Sequence, residues 1–263
     1  MSPILGICGI SYSLWYVFTV KSEGFSGYFD EPSLVLLGLM PPSVMLLSHS
    51  IKDFFTGLIT LGKALFRIQG GAQKEVIEIL TSSSAMVRSE GIGALVRVRD
   101  RIRYTLLREG ISLIINDFSA EEIRHNLSNK VNAKQGRMGL AANLFENMAK
   151  VSPGVGMIGT LLGLIEMMAN LKDPSQIGGG MALAMITTLY GLLLGTILYA
   201  PMAEKITLEA EKNLEVDNMV LEGVVSLKQK KSSVHMRDIM TTFGNKSGEE
   251  KTKINKKRAR QGA

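Results

Sequence analysis

The decisive stretch is 152–205, SPGVGMIGTLLGLIEMMANLKDPSQIGGGMALAMITTLYGLLLGTILYAPMAEK. It holds two apolar runs, 151–170 and 181–202, joined by a short polar link. Each run is long enough to cross about 30 Å of hydrocarbon as a helix. In the first, Pro153, Gly156, Thr160 and Gly163 recur at helical spacing and share one face. In the second, Ala184, Thr188, Gly191 and Gly195 do the same. Gly159–Gly163 and Gly191–Gly195 are GxxxG pairs. Small faces let helix backbones approach closely in lipid, where packing rather than hydrophobicity drives association. A hydroxyl midway across such a face is either bonded within its helix or a polar lining for an ion path.

Working outward, two further apolar stretches appear, at 3–20 and 33–51. The chain of 263 residues is 46% hydrophobic with a formal charge of +6, and nearly all its charge lies outside these four runs. That layout excludes an ordinary soluble protein, and a lone Cys8 excludes a disulfide scaffold. The first run has no basic leader and no small-x-small cleavage site, so it reads as a retained span. Of the 30 Lys and Arg, the segments 21–32 and 171–180 hold only Lys21 and Lys172. The positive-inside rule then puts 52–150 and the tail in the cytoplasm. The expected fold is an all-α integral membrane protein. It has four transmembrane helices, a helical cytoplasmic domain between spans two and three, and both termini cytoplasmic. The divisions are 1–51 (first helix pair), 52–150 (cytoplasmic domain), 151–205 (pore-forming pair), 206–243 (C-terminal helix) and 244–263 (basic disordered tail, with at most some attraction to lipid).

Within the cytoplasmic block, 52–68 reads as an extension of span two, 73–80 as a short amphipathic turn or two, and 96–115 as helix. Ser119 followed by Glu122 is a capping box that opens another helix. Arg97–Arg101 and Arg99–Arg103, interrupted by Asp100 and with Arg88 upstream, form a positive patch. That patch is either solvated helix charge or a docking surface for a charged protein.

Catalytic motifs are missing. His49, His125 and His235 lack ligand spacing, and there is no phosphate loop or nucleophile elbow. The chain reads as no enzyme, with no cofactor and no nucleic-acid partner. Ion transport usually needs an ionisable group within the membrane, yet spans one, two and four have no Asp, Glu, Lys or Arg. Glu166 sits about six residues past Thr160 and reads as a carboxylate at the pore mouth. If ions pass, their carboxylate comes from a second polypeptide.

These residues resemble the MotA/PomA flagellar stator subunits of the MotA/TolQ/ExbB proton-channel group. The order Pro-Gly, GTLLGLIEM, the DP link, TTLYGLLLGT and APMAEK carries the likeness, with FDEPSLVLL and LREGISLIINDFSAEEIRHNL agreeing. The likeness covers about 1–230. It implies a homo-oligomer, a pentamer around a dimer of a one-span MotB/PomB-like partner that holds the ion-binding aspartate. It also implies a FliG-like rotor protein as target, H⁺ or Na⁺ as the transported ion, and the bacterial inner membrane as location. By position, Thr160 and Thr188 match hydroxyls facing that aspartate, with Thr187 the neighbouring alternative. Pro153 and Pro201 match the coupling prolines, Asp30 an acidic residue of the first outer loop, and Arg88 the rotor-facing arginine. Where the family has a glutamate eight residues after that arginine, this chain has Val96, so Asp100 or the Arg97–Arg103 cluster is expected to take part. Pro41-Pro42 in span two also departs from the family and predicts a kink or local unwinding. An ExbB/TolQ-like energiser of the envelope is the alternative, disfavoured by two spans before the cytoplasmic block. A purely structural scaffold is a third.

Overall fold

A computed structural model describes residues 29–66, 72–172 and 174–232, together with Gly6, Cys8, Gly9, residues 11–13, Trp15, Tyr16, Val234 and residues 236–238. The predicted first span and the basic tail therefore lie largely or wholly outside the described residues. Among those described, every regular element is helical. The helices are α1 (Glu31–Ser48), α2 (Ile51–Phe66), α3 (Ala72–Glu90), α4 (Leu95–Arg99), α5 (Thr105–Ile115), α6 (Ala120–Ala169), α7 (Pro174–Leu192) and α8 (Ala200–Lys228). A π-helical stretch, Leu193–Tyr199, joins α7 to α8. Glu31–Ser48, Ala120–Ala169 and Ile177–Lys228 are each long and apolar enough to cross a membrane.

The chain forms two compact units. One takes the chain up to Thr56 with Asn143–Ala203, the other Gly57–Ala142 with the chain from Glu204 onward. In the first unit α1 packs on α7. Asp30 caps α1, its carboxylate accepting from the Ser33 amide at 2.8 Å and from the Ser33 hydroxyl. α1 stays helical across Pro41 and Pro42, and Pro41 is buried. The expected local unwinding is thus not present.

The second unit has a conventional apolar core. Val76 and Leu80 of α3, Leu107, Ile111 and Ile114 of α5, Ile123 and Leu127 of α6, and Met219, Val220 and Val224 of α8 are essentially fully buried there. α5 and α8 nearly touch at Gly110, where a Cβ would lie 2.8 Å from Val224 Cγ2. The capping box at α6 is formed as expected. The Ser119 amide donates to Glu122 at 2.8 Å, and the Glu122 amide to Ser119 Oγ at 3.3 Å.

Three helix boundaries differ from the sequence reading. Of the extension expected over 52–68, the described residues 52–66 do not continue α1. His49 is extended (φ −129°, ψ 152°), and Ser50 caps a separate α2 by bonding the Asp53 amide and carboxylate. The brief turn expected at 73–80 is a 19-residue helix, α3. The run 96–115 is broken: α4 ends at Arg99, and Ile102 (buried) and Tyr104 (extended, φ −76°, ψ 108°) turn the chain before α5. Burying both Leu95 and Ile102 in the core is what the break achieves.

Candidate functional site

In the first unit α6 and α7 meet along a seam of small residues. A Cβ on Gly156 would lie 3.0 Å from the Thr187 carbonyl oxygen and 3.3 Å from the Gly191 Cα. One on Gly159 would lie 2.5 Å from Thr187 Cβ, and one on Gly163 2.5 Å from the Gly180 carbonyl oxygen. The backbones are therefore in direct contact, which only glycine permits.

Three threonines stand at this seam, and their surroundings differ. Thr187 is fully buried and donates to the Leu183 carbonyl at 2.7 Å, with Ala184 O at 3.1 Å. It is a packing and helix-bonded hydroxyl. Thr160 and Thr188 lie one on each helix, half-buried, with their hydroxyls directly hydrogen-bonded to each other. Each also has Ala184 O at 3.2 Å, and Thr160 has Gly156 O at 3.1 Å. Two hydroxyl protons thus serve the shared Ala184 carbonyl and each other, leaving oxygen lone pairs unused by these bonds. One hydroxyl donates to the other, which keeps its own proton for a carbonyl, and either can take the donor role.

At the other end of the seam lies Pro153. A proline has no amide N–H, so the Ala149 carbonyl loses its helical donor. That oxygen sits 2.8 Å from where a Cβ on Gly195 would be, and the same Cβ would be 3.0 Å from Pro153 Cδ. Gly195 therefore makes room for both the proline ring and the freed carbonyl. It belongs to the π-helical stretch, whose wider turn ends where the Ala200 amide bonds Gly195 O. Pro201 follows directly. Its ring would clash with the carbonyl four residues back in a regular helix, and the widened turn relieves that clash. Both predicted prolines thus border one structural irregularity.

Glu166 is exposed on α6, about 240° around the helix from Thr160, so the structure does not bring it to the threonine pair. Asp30 is occupied in capping α1. In the second unit, Arg97 pairs with Glu90, and Arg99 Nε bonds Asp100 at 2.9 Å. That bond and its charge raise Arg99 and lower Asp100 from their ordinary ionisation ranges. Because α4 stops at Arg99, Arg97–Arg101 and Arg99–Arg103 are not stacked pairs on one helix face. Arg88 and Arg101 are exposed, as is Val96. Among the described residues no group of His, Cys, Asp or Glu could hold a metal.

Sequence reasoning missed the buried anchor of the second unit. Asp217, fully buried, accepts from Tyr104 Oη at 2.6 Å and Lys134 Nζ at 2.7 Å. Its partners lie 113 and 83 positions away, so no local pattern marks it.

A family model described as the MotA/TolQ/ExbB proton channel family matches residues 98–220. Motility protein A of Borreliella burgdorferi is 32% identical over 178 residues, 68% of this chain and 68% of that protein. Chemotaxis protein PomA of Vibrio alginolyticus is 26% identical over 227 residues, 86% of this chain and 88% of that one. The fold matches a chain of C. jejuni MotAB with a TM-score of 0.84 at 18% identity, covering 92% of this chain and 94% of that one. With two apolar helices locked by glycines around a hydroxyl pair, and likeness to motility protein A over two thirds of both chains, this chain belongs to the MotA/TolQ/ExbB proton channel family.

Proposed function

We propose that this flagellar stator subunit conducts H⁺ or Na⁺ together with a one-span MotB/PomB-like partner and converts ion flow into torque. Membership of a channel family makes the chain a membrane-embedded ion-transport component and not an enzyme. The observation that carries the finer reading is the Thr160–Thr188 hydroxyl pair. It lies half-buried beside a sealed seam, on helices that bring no carboxylate to it. An ion-binding acid must come from elsewhere, and a partner's aspartate fits that gap; PomA and MotAB among the relatives support a two-component complex.

Neutralising and recharging the partner's acid changes its fit against successive copies in a ring, which is read as a pentamer around a partner dimer in the bacterial inner membrane. Pro153, Gly195 and Pro201 are where the helices yield, and Arg88, Arg101 and the Arg97–Asp100 segment meet a FliG-like rotor protein. At a potential of about 150 mV one charge releases roughly 3.5 kcal/mol, enough to bias a step but not to offset a large strain. No observation favours the ExbB/TolQ-like alternative.

The test is a gene deletion complemented with variants, with filaments stained and rotation followed in single cells. Thr188→Ala and Thr160→Ala should assemble normally yet abolish rotation, and Thr188→Ser should restore part of it. Speed against sodium and against a proton uncoupler identifies the ion. Normal rotation without both hydroxyls would refute the assignment.

A further inference from the structure

The second unit carries an open groove of about 500 Å³ that the motor reading does not use. One wall is α6, where Lys130, Lys134 and Arg137 follow at i, i+4 and i+7 and so share a helix face. The other wall is the entry to α5, with Arg103, Tyr104 and Glu109. The wall is thus richer in cations than in carboxylates.

The pairing inside the groove separates these cations into two kinds. Lys130 bonds Glu109 at 2.7 Å, and Lys134 bonds the buried Asp217 at 2.7 Å while lying over the Tyr104 ring. The Lys134 contacts, to a fully buried carboxylate and to the Tyr104 ring, tie the walls together. Both carboxylates of the groove, Glu109 and Asp217, are used in the two ion pairs. Arg103 and Arg137, one on each wall, are exposed, and no carboxylate of the described residues pairs with either. Two guanidinium forks facing a concave space are matched to phosphate oxygens, which arginine binds in a bidentate manner. Half-buried Leu106 adds an apolar edge to the same lining. The volume falls in the range of about 300–1,000 Å³ typical of small-molecule sites.

We propose that this groove binds a phosphate-bearing small molecule of nucleotide size, with Arg103 and Arg137 holding its phosphates. The exposed Lys130–Glu109 pair costs little to open, so Lys130 can add a third contact to the anion. The aromatic and apolar part of such a ligand lies toward Leu106.

The full-length protein, purified in its complex and reconstituted in nanodiscs, is titrated calorimetrically with ATP, inorganic pyrophosphate and adenosine. ATP and pyrophosphate should bind saturably, and adenosine should not. The Arg103→Ala/Arg137→Ala double variant should weaken ATP binding at least tenfold, whereas Lys150→Gln, outside the groove, should bind as the wild type does. Arg137→Lys keeps the charge and loses the fork, and should fall between. The mass of each complex is measured in parallel. No saturable binding up to about 1 mM, binding unchanged in the double variant, or adenosine binding as tightly as ATP would each overturn the proposal. So would a double variant whose complex dissociates, which would assign the two arginines to a contact between copies.

Discussion

Two alanine substitutions five residues apart on α6 should differ clearly in effect. At Gly154 an added Cβ meets nothing within 4 Å, whereas at Gly159 it falls 2.5, 2.6 and 2.7 Å from Thr187 Cβ, Cγ2 and Oγ1. Comfortable carbon contacts need about 3.5–4.0 Å, so Gly159→Ala forces the seam open by about 1 Å. Both changes gain the same helix propensity, about 0.8–1 kcal/mol, which cancels in the comparison. The remaining difference is overpacking, about 1–3 kcal/mol. Thermal unfolding of the reconstituted protein should show it as a midpoint several degrees lower for Gly159→Ala than for Gly154→Ala. A double-mutant cycle locates the clash. Thr187→Ala leaves the nearest atom, Cβ, in place and should rescue Gly159→Ala only in part, while Thr187→Gly should remove the coupling. Equal midpoints for the two alanine variants would refute the reading of a seam closed by backbone contact.

Three further outcomes are expected. Lys134→Ala strands the buried Asp217 carboxylate and should destabilise by about 3 kcal/mol, with Tyr104→Phe costing about 1–3 kcal/mol because the ion pair survives; denaturant titration would expose the opposite ranking. At the start of α6, the Ser119 amide and then its hydroxyl hold the Glu122 carboxyl below its ordinary range, and Lys228 does the same for Asp117. Folded values below unfolded ones give stability that is present above the ordinary carboxylate range and lost as pH falls through the lowered values. Hydrogen-exchange protection of the first turn of α6, corrected for intrinsic rates, should decline there in the wild type and be insensitive to that pH change in a Glu122→Gln, Asp117→Asn variant. Finally, Pro201→Ala restores a helical donor and should return Leu193–Tyr199 to α-helix, visible in a density map of the variant; a persistent π-helical turn would show that the proline is not its cause.

How much the sequence reveals depends on how local each signal is. The small-residue faces of 152–205 are legible because lipid leaves packing and backbone satisfaction as the main constraints. The Ser119–Glu122 cap is legible because both partners lie within one turn. The end of α4 is not, since Val-Arg-Val-Arg-Asp-Arg-Ile-Arg has spacing that suits a continuous helix, and only the core around Leu95 and Ile102 decides otherwise. Ser50 and Asp53 carry a visible cap signal that the apolar continuity of 33–68 masks. The separate surroundings of Thr187 and Thr188 follow from the phase of α7 against α6, which adjacent identical residues cannot disclose.

The glycine contacts have a consequence for permeation. Where an added methyl group would meet atoms at 2.5–3.0 Å, a water molecule or a hydrated cation has no space, so the crevice between α6 and α7 is watertight along Gly156, Gly159 and Gly163. No conduit runs between these two helices within one copy. Any aqueous route that touches Thr160 and Thr188 must therefore run along the outer face of this helix pair and not through it. The pair is thus built as a wall and not as a lumen, with its glycine-lined side closed and its threonine hydroxyls at the margin.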